Sequence, residues 1–248
     1  MHGRRTGTAD YVEAAHYVAS QFQAAGLAPG GSDGYFQTVH LAEARVVPDS
    51  SSLVLESTGT SDTLPLRVRI TPSSAARADG PLVFVGYGLA LPGVHDDLAG
   101  VDLRGRVAVY LDRMPKGLNA TLFAHGRASR WKELERRGAV AGIAIADPAP
   151  PNGNRPPPRP GVRPVMGLAD DSLERGVLVS VGGEDAEKLF AGSGHTYAEM
   201  VALSDAQQTL PTVPLAPRLH VRLDVQHTPV DAPNVVGVLR GSDAGLRG

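Results

Sequence analysis

Three stretches of this chain carry apolar side chains at nearly every position. They are residues 82–87 (Leu82, Val83, Phe84, Val85, Gly86, Tyr87), residues 107–111 and residues 139–146. Successive side chains of a strand point to opposite faces, so a strand that is apolar throughout needs cover above and below it. Residues 123–137, between the second and third stretches, read as a helix stopped at Gly138. Strand, helix and strand in that order favour a parallel pair joined by a right-handed crossover. The sequence therefore predicts an α/β chain of mixed α+β character, built round a sheet covered on both sides.

The flanking segments read differently. Thr8 is a good N-cap, and Tyr11, Ala14, Ala15, Val18, Phe22 and Ala25 follow at helical spacing. Gly26 supplies the stop, and Glu13, His16, Ser20 and Gln23 form a polar opposite face. Residues 35–41, 52–56 and 66–70 read as strands, the last with Leu66, Val68 and Ile70 on one face and Arg67 and Arg69 on the other. Residues 177–181 read as a strand, and residues 184–190 and 197–203 as short helices. Leu219, Val221, Leu223 and Val225 alternate with Arg218, His220, Arg222 and Asp224, the pattern of a half-buried strand. Residues 152–164 are rich in proline and glycine and read as a surface loop.

Residues 234–239 (Asn234, Val235, Val236, Gly237, Val238, Leu239) are again apolar on both faces. Such a strand needs a neighbouring sheet and cover on both sides, yet only polar and glycine-rich residues follow. It reads as the opening of a sheet that these 248 residues do not finish. The start, Met1-His2-Gly3-Arg4-Arg5, runs almost directly into the first helix without a signal peptide and reads as cut from a longer protein.

Composition removes several classes of function. The 24 Lys and Arg nearly balance the 26 Asp and Glu, with no basic stripe, which argues against a nucleic-acid partner. No cysteine is present, so disulfides, zinc ribbons and thiol nucleophiles are excluded. No apolar run approaches the roughly 20 residues of a membrane-spanning helix.

Motifs for chemistry are sparse. His95-Asp96-Asp97 is the densest cluster of metal-ligand types, but it lacks a spaced third ligand and reads as turn-forming residues. Gly192-Ser193-Gly194-His195 lacks the G-x-S-x-G frame of a nucleophile elbow and follows a helix, so it reads as a helix-ending loop. Gly86-Tyr87-Gly88 has no third glycine in place for a dinucleotide site, and Gly182-Gly183 before a helix is a weak anion signal. Arg4-Arg5-Thr6-Gly7-Thr8 reads first as a capped helix start and second as an anion site. His16, His220 and Asp224 read as surface residues, Trp131 as a core anchor, and Asn119-Ala120-Thr121 as a short match to a glycosylation acceptor. No catalytic, cofactor-binding or metal-ligating residue is assigned.

Three segments together resemble bacterial zinc aminopeptidases of metallopeptidase clan MH. The first runs from Gly3-Arg4-Arg5-Thr6-Gly7-Thr8 through Tyr11-Val12-Glu13-Ala14-Ala15 and Gly26-Leu27-Ala28-Pro29 to Tyr35-Phe36-Gln37. It is similar to the family's opening helix and first strand. The second joins Val83-Phe84-Val85-Gly86-Tyr87-Gly88-Leu89 to Asp96-Asp97-Leu98-Ala99-Gly100-Val101-Asp102-Leu103-Arg104-Gly105-Arg106-Val107, and resembles the protease-associated (PA) domain inserted in many such enzymes. The third, residues 232–242, resembles the strand entering the catalytic sheet.

The resemblance implies residues 1–75 as the start of a peptidase domain, 76–228 as a PA insert and 229–248 as the first strand of a truncated catalytic domain. It implies a parent that uses two zinc ions to release N-terminal residues from peptide or protein substrates, and that is secreted or periplasmic. The zinc ligands of that family lie beyond the third segment, so none is carried over and no zinc is expected in this chain. The competing reading is a free-standing PA-like module that binds proteins or peptides without catalysis.

Overall fold

The computed structural model describes residues 4–71, 73–146, 164–169, 176–242 and 245. Residues 152–163 of the expected surface loop lie outside the described residues. In chain order the first elements are α1 (Ala9–Ala24), β1 (Ala28–Pro29), β2 (Phe36–Val46), β3 (Ser52–Ser57), β4 (Thr60–Thr63), β5 (Val68–Arg69) and β6 (Arg77–Val85). Next come β7 (Ala90–Leu91), β8 (His95–Asp96), β9 (Val107–Asp112), α2 (Ala120–Arg136), β10 (Ala141–Ala146), β11 (Val165–Leu168) and β12 (Val177–Val181). The last are α3 (Gly183–Phe190), α4 (Tyr197–Asp205), β13 (Thr212–Arg222), β14 (Val225–Val235) and β15 (Gly237–Val238). The chain divides into two compact units. The smaller comprises Met1–Glu43, Met166–Asp171 and His227–Gly248, and the larger Ala44–Val165 and Ser172–Gln226.

The larger unit holds one eight-stranded sheet in the order β4-β3-β13-β6-β9-β10-β12-β5. β6, β9, β10 and β12 run parallel, and β13, β3, β4 and β5 complete it antiparallel. Its two edge strands, β4 and β5, are consecutive in sequence, separated only by Leu64, Pro65, Leu66 and Arg67. That link spans about 17 Å at most, whereas eight flat strands would place the edges about 33 Å apart. The sheet must therefore curl until its edges approach. Consistently, the Asp62 carboxylate on β4 helps raise the affinity of Lys188 on α3 for its proton, after the nearer Asp185.

Curling creates two apolar layers. One face carries Leu53, Leu55, Leu82, Phe84, Val109, Leu111, Ile143, Val179, Leu219 and Val221, all essentially buried, and packs with Ala186, Leu189 and Phe190 of α3 and Met200 of α4. Phe84 and Phe190 meet edge to face with ring centres 5.4 Å apart. On the other face Val83, Val85, Ala108 and Tyr110 pack with Trp131 and Leu134 of α2. The three apolar stretches are thus covered on both sides, and β9 and β10, joined through α2, are parallel neighbours as expected. β13 alternates, with Leu219 and Val221 buried and Arg218 and Arg222 exposed. The strand expected over residues 66–70 pairs only at Val68–Arg69, and it joins this sheet together with β3 and β4.

In the smaller unit, α1 begins where Thr8 Oγ1 accepts a hydrogen bond from the Tyr11 amide (3.3 Å). It ends with Gly26 at φ +76°, the Gly26 amide donating to Gln23 O and the Leu27 amide to Phe22 O. That bond pair closes a helix terminus through a left-handed residue, a conformation glycine adopts without a steric penalty. The expected apolar stripe is only partly covered: Ala15 and Ala19 are buried, Tyr11 and Phe22 are half-buried, and Val18 is exposed. Tyr11 Oη donates to Pro233 O (3.2 Å), and His16, exposed as expected, also meets the Phe36 ring edge-on at 4.9 Å. β2 continues past the expected residue 41 to Val46 and lies between β11 and β14.

The strand expected over residues 234–239 divides between the last two residues of β14 and the two-residue β15. β15 pairs only with the two-residue β1, Ala28 opposite Val238 and Pro29 opposite Gly237. Val238 is 44% and Leu239 77% exposed. Among the described residues nothing supplies the two-sided cover that so apolar a run calls for.

The Trp131 anchor gives a direct check of the α2 layer. A β-carbon placed on Gly176 would lie 1.9 Å from Trp131 Cε2. Gly176→Ala is expected to lower unfolding free energy by about 2–3 kcal/mol, read as a lower urea midpoint at unchanged slope. An unchanged midpoint would show that the indole does not pack there.

Candidate functional site

His95, Asp96 and Asp97 do come together, but as a brace. Asp97 Oδ2 accepts from the amides of Tyr87 and Leu89, both at 3.1 Å. Its Oδ1 meets His95 Nε2 at 2.9 Å. Asp96 Oδ1 accepts from the Leu98 amide (2.9 Å). These bonds hold the turn after β6, where Gly86 and Gly88 sit at φ +59° and +63°. A β-carbon on Gly86 would lie 2.8 Å from Asp97 Oδ1, so the carboxylate fits because glycine stands there. The hydrogen bond to Asp97 raises the His95 pKa, burial opposes it, and the charges of Asp97 and Asp96 add to the rise.

The remaining sequence candidates resolve into local structure. Ser193 Oγ donates to Phe190 O (2.7 Å) in the turn ending α3, with Gly192 and Gly194 at positive φ. Asn119 N-caps α2 through the amides of Thr121 and Leu122. Thr8 Oγ1 donates to Arg5 O, and Arg5 pairs with Glu43. His220 is not a plain surface residue: its Nε2 meets Glu56 Oε2 at 2.8 Å and its Nδ1 meets Asp79 Oδ1 at 2.6 Å, a row across β3, β13 and β6. Asp224 accepts from Ser50 Oγ (2.6 Å).

A surface depression of about 450 Å³ near Asp102, Arg104, Arg136 and Arg137 is lined by charges that answer one another. The Arg104 hydrogen bonds hold the Asp102 carboxyl down to about 2. Among the described residues, no group of three or more His, Asp or Glu side chains could hold a metal ion. These residues therefore do not fit the two-zinc donor set of the family resembled.

The cluster with unspent hydrogen-bonding capacity lies at the end of β9. Asp112 accepts from Arg127 Nε and Nη2 (3.0 and 2.8 Å) and from Arg130 Nη1 (2.9 Å). Burial alone would raise the Asp112 pKa, but the two arginines outweigh it and leave the carboxyl below its ordinary value. Arg130 is only 4% exposed and its guanidinium carbon lies 4.4 Å from the Tyr110 ring centre. Burial pushes the Tyr110 hydroxyl upward, against the neighbouring Arg130 charge. Arg130 Nε and Nη2 are buried without a hydrogen-bond partner. No sequence motif marked Arg130. Its signal was positional, since it lies four residues after Gly126 and four before Leu134 on the buried stripe of α2.

No family model and no curated protein matches the sequence. Among solved structures the chain is similar to an aminopeptidase from Aneurinibacillus sp. strain AM-1, at 18% identity over 97% of this chain and 45% of that one, with a TM-score of 0.43. It is similar to a zinc aminopeptidase from Bacillus subtilis at 17% identity over 96% of this chain and 43% of that one, with a TM-score of 0.34. It is similar to the subtilisin-like protease Apa1 from the Antarctic psychrotroph Pseudoalteromonas sp. AS-11 at 14% identity over 76% of this chain and 37% of that one, with a TM-score of 0.31. The chain spans less than half the length of each. Likenesses of this size establish neither a family nor an activity.

The brace carries a pH signature. A histidine whose native pKa is raised contributes stability in full below its unfolded value of about 6.5, and loses it as pH rises through the native value. Wild type should therefore exceed His95→Asn in urea stability by more at pH 5.5 than at pH 8.5. An equal difference at both pH values would remove the His95–Asp97 ion pair from the brace.

Proposed function

We propose that this chain is the non-catalytic front of a zinc aminopeptidase, with a PA insert at residues 76–228 and peptidase-domain portions at 1–75 and 229–248. The parent would release N-terminal residues from peptides, outside the cell or in the periplasm, with two zinc ions held by residues beyond this chain. The observation that carries the reading is the apolar strand over residues 234–239. It lies within the segment at residues 232–242 that resembles the entry to a catalytic sheet, and its Leu239 stands 77% exposed. Exposed apolar strand is an association hazard that folded chains ordinarily cover, which supports a sheet continuing beyond it. The resemblance of the segments at residues 3–37, 83–107 and 232–242, in that order, supports the same reading.

Two measurements test it. The purified chain, with zinc added, should release p-nitroaniline from leucine p-nitroanilide no faster than buffer; zinc-dependent release would overturn the non-catalytic assignment. Deleting residues from Asp231 onward should leave the cooperative melt of the larger unit unchanged or sharper. Loss of that melt would make the tail part of the module and favour a free-standing peptide-binding protein.

A further inference from the structure

The unsatisfied Arg130 belongs to a row of side chains that crosses four neighbouring segments of the larger unit. Parallel register sets Tyr110 of β9 beside Ala144 of β10, and Ala144 beside Ser180 of β12. The Ser180 amide donates to Arg67 O (2.7 Å), which extends the row onto the residues leading into β5. Tyr110, Ala144 and Ser180 lie within two residues of the carboxyl ends of their strands, the end of a parallel sheet at which ligands bind.

A cation stands at each end of this row, with small side chains between. Arg130 stacks on Tyr110. Arg67 Nη1 lies beside Gly182, 3.6 Å from where a β-carbon there would be. Arg67 Nε is buried without a hydrogen-bond partner, as are Arg130 Nε and Nη2. Among the described residues no carboxylate pairs with Arg67, and Arg130 shares Asp112 with Arg127. Ala144, Ser180 and Gly182 remain half-buried, so the middle of the row is open to solvent. Burying guanidinium N–H groups without acceptors is costly, and the usual remedy is an anionic oxygen. Planar guanidinium donors match carboxylate and phosphate groups in particular.

We propose that this row is a binding site for a small oxyanion, a carboxylate or phosphate group, with Arg67 as its donor, the Ser180 hydroxyl beside it and the Arg130 charge at the far end of the row. The site is independent of any peptidase assignment.

The test is a thermal melt of the whole chain in sodium phosphate, sodium acetate and sodium chloride at matched ionic strength. Phosphate or acetate should raise the melting temperature above that in chloride, by about 3 °C once the anion reaches ten times its Kd. Phosphate alone acting assigns a phosphoryl ligand, acetate alone a carboxylate, and both a general oxyanion site. Arg67→Gln should abolish the shift while melting in chloride no lower than wild type, because it removes an unanswered charge. Arg222→Gln, at an exposed position of β13 away from the row, should keep the shift. No shift beyond chloride, or a full shift in Arg67→Gln, overturns the proposal. So does failure of Arg67→Gln to fold, since that would mean the native chain already uses the Arg67 charge.

Discussion

Four residues, Leu64 to Arg67, connect opposite edges of an eight-stranded sheet, and the rest of the larger unit follows from that short reach. A sheet so tied cannot lie flat. Its curl gathers Leu53, Phe84, Val109, Ile143, Val179 and Leu219 onto one face and leaves Val83, Ala108 and Tyr110 on the other for α2 to cover. The strands in the middle of the order become the most deeply buried, while β13 and β3 keep a polar side.

The same constraint places the chemistry. Running β9, β10 and β12 parallel brings their carboxyl ends together, and the antiparallel β5 returns Arg67 to that end through the same link that closes the sheet. Arg130 arrives from above on α2, held by Asp112 and the Tyr110 ring. A buried guanidinium with one carboxylate partner and two unmet donors is a poor stabilising device in itself. Its retention beside small, half-open positions is what separates this cluster from the braced His95–Asp97 turn, where both carboxylate oxygens are spent on the fold.

Much of the fold was legible because its period is local. Two-faced apolar runs marked β6, β9 and β10, alternation marked β13, and Thr8 and Gly26 marked the ends of α1. Pairing was not legible, since nothing local in residues 60–63 or 66–70 says that they lie on opposite edges of one sheet. The candidate site was less visible still. Arg67 read only as one of two arginines on the second face of an alternating strand, and nothing marked Arg130 within its helix, because each gains its meaning from neighbours distant in sequence. Residues 234–239 were legible as an apolar run in want of a sheet, but their pairing with residues 28–29 was not, since nothing local in either segment encodes it.

Native-state hydrogen exchange tests most directly whether the curled sheet is the cooperative body of this chain. The amides of β6, β9, β10, β12 and β13 should exchange through one common opening of highest free energy, with those of α1, β14 and β15 exchanging at a distinctly lower one. A single shared opening energy across both units, or fast exchange in β12 beside β5, would contradict a sheet closed on itself as the element on which the rest depends.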